Sequence, residues 1–250
     1  MIPRLSEALQ AAYEAFGRHS LSHPLEACHC ESCMSAEVAE SILKTPLREL
    51  SNDQLSEYTN SAHGWSDQFL YLLPRYMELI AQGDRPTYLD ADSIFSRFRD
   101  APENCLTPQE TYTLGNWLTV LFEETLHHPI SNEELACALA RQNQASWNGF
   151  GNDVCEIVQI ALPTPFDTLQ LRALWEACQT REAALRMASA IYFGLGARRF
   201  NKSSLLSRLP TEAASHWYDW FTREDHTERL SRAYEREMDP LAKEFLLLAI

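Results

Sequence analysis

Valine is scarce, at only four positions, Val38, Val120, Val154 and Val158. Strand-forming residues are correspondingly rare, while leucine, alanine, glutamate and glutamine, which favour helix, abound. A sheet-based architecture is excluded on this balance, and the expectation is an all-α chain, either an irregular multi-helix bundle or stacked helical hairpins. No fixed-period repeat is present, which favours the bundle, taken as a single helical domain over 1–250. Long apolar runs are also missing. The most suggestive stretch, Phe245 to Ile250, falls far short of the ~20 residues that span a bilayer. The first residues lack a basic segment, an apolar core and a cleavage signal, so no export and no membrane association are expected, and the odd count of seven cysteines fits reduced thiols in a cytoplasm.

Positive charge is in deficit as well. Lysine and arginine total 21 against 35 aspartates and glutamates, a formal charge of −14. That balance argues against nucleic acid, whose binders carry a basic face, and suits a basic protein partner, although acidity also serves solubility alone. No Gly-rich phosphate loop, dinucleotide fingerprint, nucleophile elbow or kinase set occurs, so nucleotide chemistry is not expected.

What is present are helix signals. Leu5, Leu9, Ala12, Tyr13 and Phe16 share a face, with Gly17 as a stop. Ser35 is placed to cap a short helix. Ser51 with Gln54, Thr107 with Glu110 and Ser131 with Glu134 are capping boxes, the second with Pro108 at the first helical position. Further helices are expected over 69–81, 90–98, 154–162, 168–179, 181–193, 211–221, 224–238 and 241–250. Two segments read as joints: 82–88, with Gly83 and Pro86, and 143–153, with Trp147, Gly149, Phe150 and Gly151.

The chemical lead lies in a Cys/His-containing subregion, 18–83. His23, Cys28, His29, Cys30 and Cys33 fall within eleven residues. Zinc takes four thiolate or imidazole ligands in a tetrahedron, and the Cys30-x-x-Cys33 spacing lets one turn present two sulfurs to one ion. Cys28 or His29 is the candidate third ligand, and His23 or His63 the fourth. A structural zinc is the leading reading, with reduced cysteines lacking metal the alternative. The remaining cysteines, Cys105, Cys137, Cys155 and Cys178, read as small core residues. Glu123, Glu124, His127 and His128 end a long helix before Pro129, where the histidines complement the helix dipole.

At His23-Pro-Leu-Glu-Ala-Cys-His-Cys-Glu-Ser-Cys-Met34 and Tyr58-Thr-Asn-Ser-Ala-His-Gly-Trp65, followed by Tyr71 to Tyr76, the chain resembles uncharacterised bacterial proteins sharing an HPLxxCxCxxCM block and a YTNSAHGW block. The resemblance covers about the first 80 residues. It implies that the two blocks act together, and it implies no activity.

Two functions follow. The first is a cytoplasmic helical protein-binding module with a structural zinc, of immunity or antitoxin type, whose acidic surface covers a basic toxin. Its expected anchors are the exposed parts of Trp147, Phe150, Trp217, Tyr218 and Trp220, since tryptophan and tyrosine dominate binding hot spots. The second is a zinc-dependent hydrolase with an open metal site at Cys28, Cys30 or Cys33 and His63, and Glu31 or Asp67 as proton carrier. Several thiolates make zinc a poor Lewis acid, which favours the first.

Overall fold

The computed structural model describes residues 3–28, 33–61, 65–87, 91–140, 154–194 and 211–250. Among them are thirteen α-helices and no strand. The fold is all-α, and no helix among these residues is long and apolar enough to cross a membrane. The chain divides into two compact units, Met1–Leu121 with Pro163–Asp167, and Phe122–Leu162 with Thr168–Ile250.

Unit 1 contains α1 (Pro3–Phe16), α2 (Ala36–Lys44), α3 (Asn52–Ser61), α4 (Asp67–Ala81), the single turn α5 (Asp92–Phe95) and the first part of α6 (Pro108–His127). A 3-10 segment, Ser96–Asp100, follows α5, so the helix expected over 90–98 is a short α-turn that tightens into 3-10. The expected caps form. Ser35 Oγ accepts from the Val38 amide at 3.2 Å. In the Ser51 box the Ser51 amide donates to Gln54 Oε1 at 2.9 Å while the Gln54 amide donates to Ser51 Oγ at 3.2 Å. Such reciprocal bonds are set within four residues, which is why local sequence predicts them.

The segment expected as a joint at 82–88 opens with a helix terminator. Gly83 adopts φ 88°, donates to the Ile80 carbonyl at 3.0 Å, and is followed by Asp84 donating to Leu79 at 2.9 Å. This is a Schellman ending, for which a residue without Cβ is the cheapest choice. The joint at 143–153 lies outside the described residues.

The core of unit 1 is an aromatic run, Trp65, Phe69, Phe98, Phe95 and Trp117. Phe95 stacks on Trp117 with centroids 6.0 Å apart and ring planes 11° from parallel. Segment 163–167 belongs to this unit because Phe166 rests on α6 at Gly115, where a Cβ would stand 3.0 Å from the ring.

Unit 2 holds the end of α6, then α7 (Asn132–Ala140), α8 (Val154–Ala161), α9 (Leu169–Ala177), α10 (Arg181–Ser189), α11 (Thr211–Phe221), α12 (Glu224–Arg236) and α13 (Pro240–Leu247). A π-helical turn, Ala190–Gly194, continues α10. The Ser131 box caps α7, with the Ser131 amide 2.8 Å from Glu134 Oε2 and the Glu134 amide 3.2 Å from Ser131 Oγ. Asp239 caps α13 by accepting from the Leu241 and Ala242 amides at 2.8 and 3.1 Å, with Pro240 at the first helical position.

Candidate metal centre

The loop after α1 is held by one side chain at the start of α4. Gln68 is buried, and its Nε2 faces Ser22 Oγ at 2.7 Å, Ser22 O at 3.2 Å and Pro24 O at 3.3 Å, while its Oε1 accepts from the Glu26 amide at 3.1 Å. Ser66, the N-cap of α4, accepts from the Gln68 amide at 3.1 Å, and Leu25 is buried. Two residues beyond the pinned Glu26, the Cys28 amide donates to the Ser61 carbonyl at 2.7 Å. Ser61 is the last residue of α3 and stands two positions before His63; Cys28 stands two before Cys30. A free helix-end carbonyl has thereby been satisfied by the first cysteine of the cluster.

His29, Cys30, Glu31 and His63 lie outside the described residues. Cys28 and Cys33 are of intermediate exposure. Cys33 adjoins Met34, which is buried, and the cap Ser35. The His23 ring is largely exposed and its Nε2 lies 3.0 Å from Glu40 Oε1, so that nitrogen already has a partner. Among the described residues no group of three or more His, Cys, Asp or Glu could hold a metal.

The neighbouring carbonyl at the end of α3 is taken by a cation. Arg97 is 5% exposed, and its Nη2 donates to the Thr59 carbonyl at 3.0 Å. Its guanidinium lies over the rings of Tyr58 and Phe69, at 5.1 and 5.4 Å. Thr59 Oγ1 bonds in turn to the Leu55 carbonyl and the Tyr76 hydroxyl, at 2.9 and 2.8 Å. Arg97 has no carboxylate partner among the described residues, and its Nη1 has no hydrogen-bond partner. Aromatic faces and carbonyls offset part of the cost of burying a guanidinium, and an anionic neighbour would offset more.

A second polar hub of unit 1 grows out of a cap. In the Thr107 box the Thr107 amide and hydroxyl donate to Glu110 Oε2 at 2.7 and 2.8 Å, and the Glu110 amide donates back to Thr107 Oγ1 at 3.2 Å. The Glu110 side chain is 1% exposed and takes a forked pair from Arg18, Nε to Oε1 at 2.8 Å and Nη2 to Oε2 at 2.9 Å, with His19 Nε2 at 2.6 Å from Oε1. Burial pushes the carboxyl up, but the bonds from Arg18, the Thr107 amide and His19 outweigh it and hold the group down at about 2. Sequence reading took Glu110 only for a cap. Arg18 and His19, directly after the α1 stop, carry no sequence signal for this role, since their acceptor lies 92 and 91 positions away.

The aromatic patch expected as a partner surface is largely core. Trp217 and Trp220 are 1% and 4% exposed and Phe221 is buried with them. The burial has a geometric reason: positions 217, 220 and 221 are three and four apart and so share one face of α11. Trp175 of α9 meets Trp220 and Phe221 at 5.5 and 5.6 Å, and Phe122 meets Trp175 at 5.7 Å. Trp220 Nε1 donates to Glu176 at 2.7 Å, and His226 of α12 packs on the Trp220 ring at 4.6 Å. Trp147 and Phe150 lie outside the described residues, as does the Tyr218 side chain. Among the described aromatics only Tyr112, at 70%, is largely exposed.

Of the four scattered cysteines only Cys155 is buried. Cys137 is exposed, and Cys105 and Cys178 are intermediate, so the core reading holds for one of them. Cys178 Sγ lies 3.7 Å from His127 Nε2 and 3.3 Å from Thr180 Oγ1. The end of α6 is closed by Arg186, whose Nη1 donates to the His128 carbonyl at 2.9 Å, so a buried guanidinium meets the negative end of the helix there.

No protein family, curated protein or solved structure matches the chain.

Proposed function

We propose that the chain is a cytoplasmic helical protein-binding module whose N-terminal unit is fastened by one structural zinc. The observation that carries this reading is the 2.7 Å bond from the Cys28 amide to the Ser61 carbonyl, which draws the cysteine block to the residue two before His63. On that basis Cys28, Cys30 and Cys33 supply thiolates and His63 the imidazole. His29 is the alternative near ligand, and His23, whose Nε2 lies against Glu40, is the alternative to His63. A zinc bound by three thiolates is net anionic, and the buried cation Arg97, bonded to the carbonyl two residues before Ser61 on α3, is a source of compensating charge for it. Such a centre ties the long connection 17–35 to the short one 62–66 and stabilises the fold directly.

Partner chemistry follows from charge. At −14 the protein attracts basic proteins, as expected of an immunity or antitoxin-type molecule that covers a basic toxin. With Trp217 and Trp220 in the core, the exposed Tyr112 is the described aromatic available to such a partner.

Elemental analysis after dialysis against metal-free buffer tests the zinc. The expected result is about one zinc per chain, lost in a His63→Ala, Cys30→Ser double variant. Zinc below about a fifth of an equivalent, with every thiol open to titration in the folded protein, would overturn it. Capture from host lysate at low and moderate salt tests the partner: a basic protein retained at low salt, with an on-rate that falls steeply as salt rises, is the expected outcome.

A further inference from the structure

Unit 2 carries a concentration of positive charge that the net charge of the chain conceals. Arg229, Arg232 and Arg236 recur at three- and four-residue spacing along one face of α12, and Arg181 at the start of α10 joins them around a hollow of about 280 Å³. Like charges repeated on one helix face repel, so the arrangement has a cost unless something anionic lies against it.

The negative groups nearby fill that role for Arg181, paired with Glu237 and Glu182 at 2.8 and 3.5 Å, but not for Arg236. Glu237, the acidic side chain in the wall, has both oxygens engaged: Oε1 accepts from the Met238 and Asp239 amides, both at 2.9 Å, and Oε2 from Arg181 Nε at 2.8 Å. Arg232 has only a loose pair with Glu228 at 3.6 Å, with both side chains more than half exposed. Arg236 has no ion-pair partner among the described residues and is exposed.

The deeper wall is rigid. Arg229 is 9% exposed and its two terminal nitrogens donate to the carbonyls of Trp175 and Cys178, which locks the face of α12 against the end of α9. Ala184, Ala233 and Leu246 line the same hollow with apolar surface, and Met238, 87% exposed, stands at its edge.

We infer that this hollow binds a small organic oxyanion, its phosphate or carboxylate head held by the exposed guanidiniums of Arg232 and Arg236 and its apolar body laid on Ala184, Ala233 and Leu246. Two guanidiniums on one helix face present forked donors that fit the oxygens of such a head. The volume lies at the small end of ligand sites, which limits the body to about one ring. The site lies wholly within unit 2 and uses no residue of the cysteine blocks, so it stands apart from the zinc reading.

The test is titration of the full chain with phenyl phosphate, benzoate and phenol at low salt, followed by calorimetry and by amide chemical shifts. Phenyl phosphate or benzoate should bind, moving the amides of Ala184, Ala233 and Leu246, and the stronger of the two identifies the preferred head. Phenol should not bind. Arg236→Glu should weaken binding by about tenfold or more, since it removes one charge-assisted contact and adds a like charge to the anion. Its circular dichroism should stay unchanged, because Arg236 has no structural partner. Absence of binding by both anions would overturn the assignment. So would equal binding of phenol, affinity unaltered in Arg236→Glu, or shifts confined to residues elsewhere.

Discussion

The two units solve the same problem, fastening helices around a core, with different chemistry. Unit 1 relies on buried polar hubs. Glu110 gathers Arg18, His19 and Thr107; Gln68 gathers the loop before Cys28; and Glu78 accepts from Tyr13 and Arg75, both at 2.6 Å, with Arg48 stacked 3.6 Å over the Tyr13 ring. Unit 2 relies on an aromatic box, Trp175, Trp217, Trp220, Phe221 and Phe122, closed by a neutral His226. Aromatic packing gains from area and tolerates changes of charge state, whereas a polar hub holds only while each member keeps its protonation state and partner. Unit 1, which bears the cysteine blocks, adds these hubs to its own aromatic run, whereas in unit 2 the bonds of Arg229 and Arg181 stand beside the aromatic box.

The largest effect expected is from Trp175→Ala, which removes the centre of the aromatic box and the 3.2 Å bond to the Ala183 carbonyl. A loss of about 3–5 kcal/mol is expected in urea unfolding, with hydrogen exchange rising at α9, α11 and α12. Glu110→Gln comes next. The displacement of its carboxyl from 4.5 to about 2 corresponds to roughly 3 kcal/mol, trimmed by solvent screening at the half-exposed Arg18. Exchange should rise at α1 and the start of α6. If either variant loosened both units equally, the contrast between them would fail.

Acid separates the units further. Burial lowers the His226 value below 6.5, with Asp225 opposing, so the unfolded chain takes up a proton that the folded one resists. Stability of unit 2 should therefore begin to fall as pH drops below 6.5. The contribution of Glu110 is complete above 4.5 and is lost as pH falls from there towards 2. Exchange measured between pH 7 and pH 3 should show α12 responding first and α1 later; the reverse order would contradict the assignments.

The smallest effect expected is from Ser131→Ala at the N-cap of α7, about 1 kcal/mol by thermal melting, without change in the other helices.

These elements also show how far sequence reading reached. The all-α class and the three capping boxes were legible because composition and i to i+3 bonds are local properties. The polar hubs were not, since Arg18 and Glu110 are 92 positions apart and neither residue reveals the other. The extent to which the aromatic face of α11 is covered was not legible, because its cover, Trp175 and His226 against Trp220, comes from other helices. For the cysteine cluster, spacing carries only the expectation of zinc, and the Cys28 to Ser61 bond adds what spacing lacks, the approach of the end of α3.

That approach is tested most directly by zinc-edge X-ray absorption on the purified full chain. The account predicts about three sulfur neighbours at ~2.3 Å and one nitrogen at ~2.0–2.1 Å, with the nitrogen shell altered in His63→Ala while the sulfur shell remains. An oxygen-rich shell, or a spectrum unchanged by His63→Ala, would contradict it.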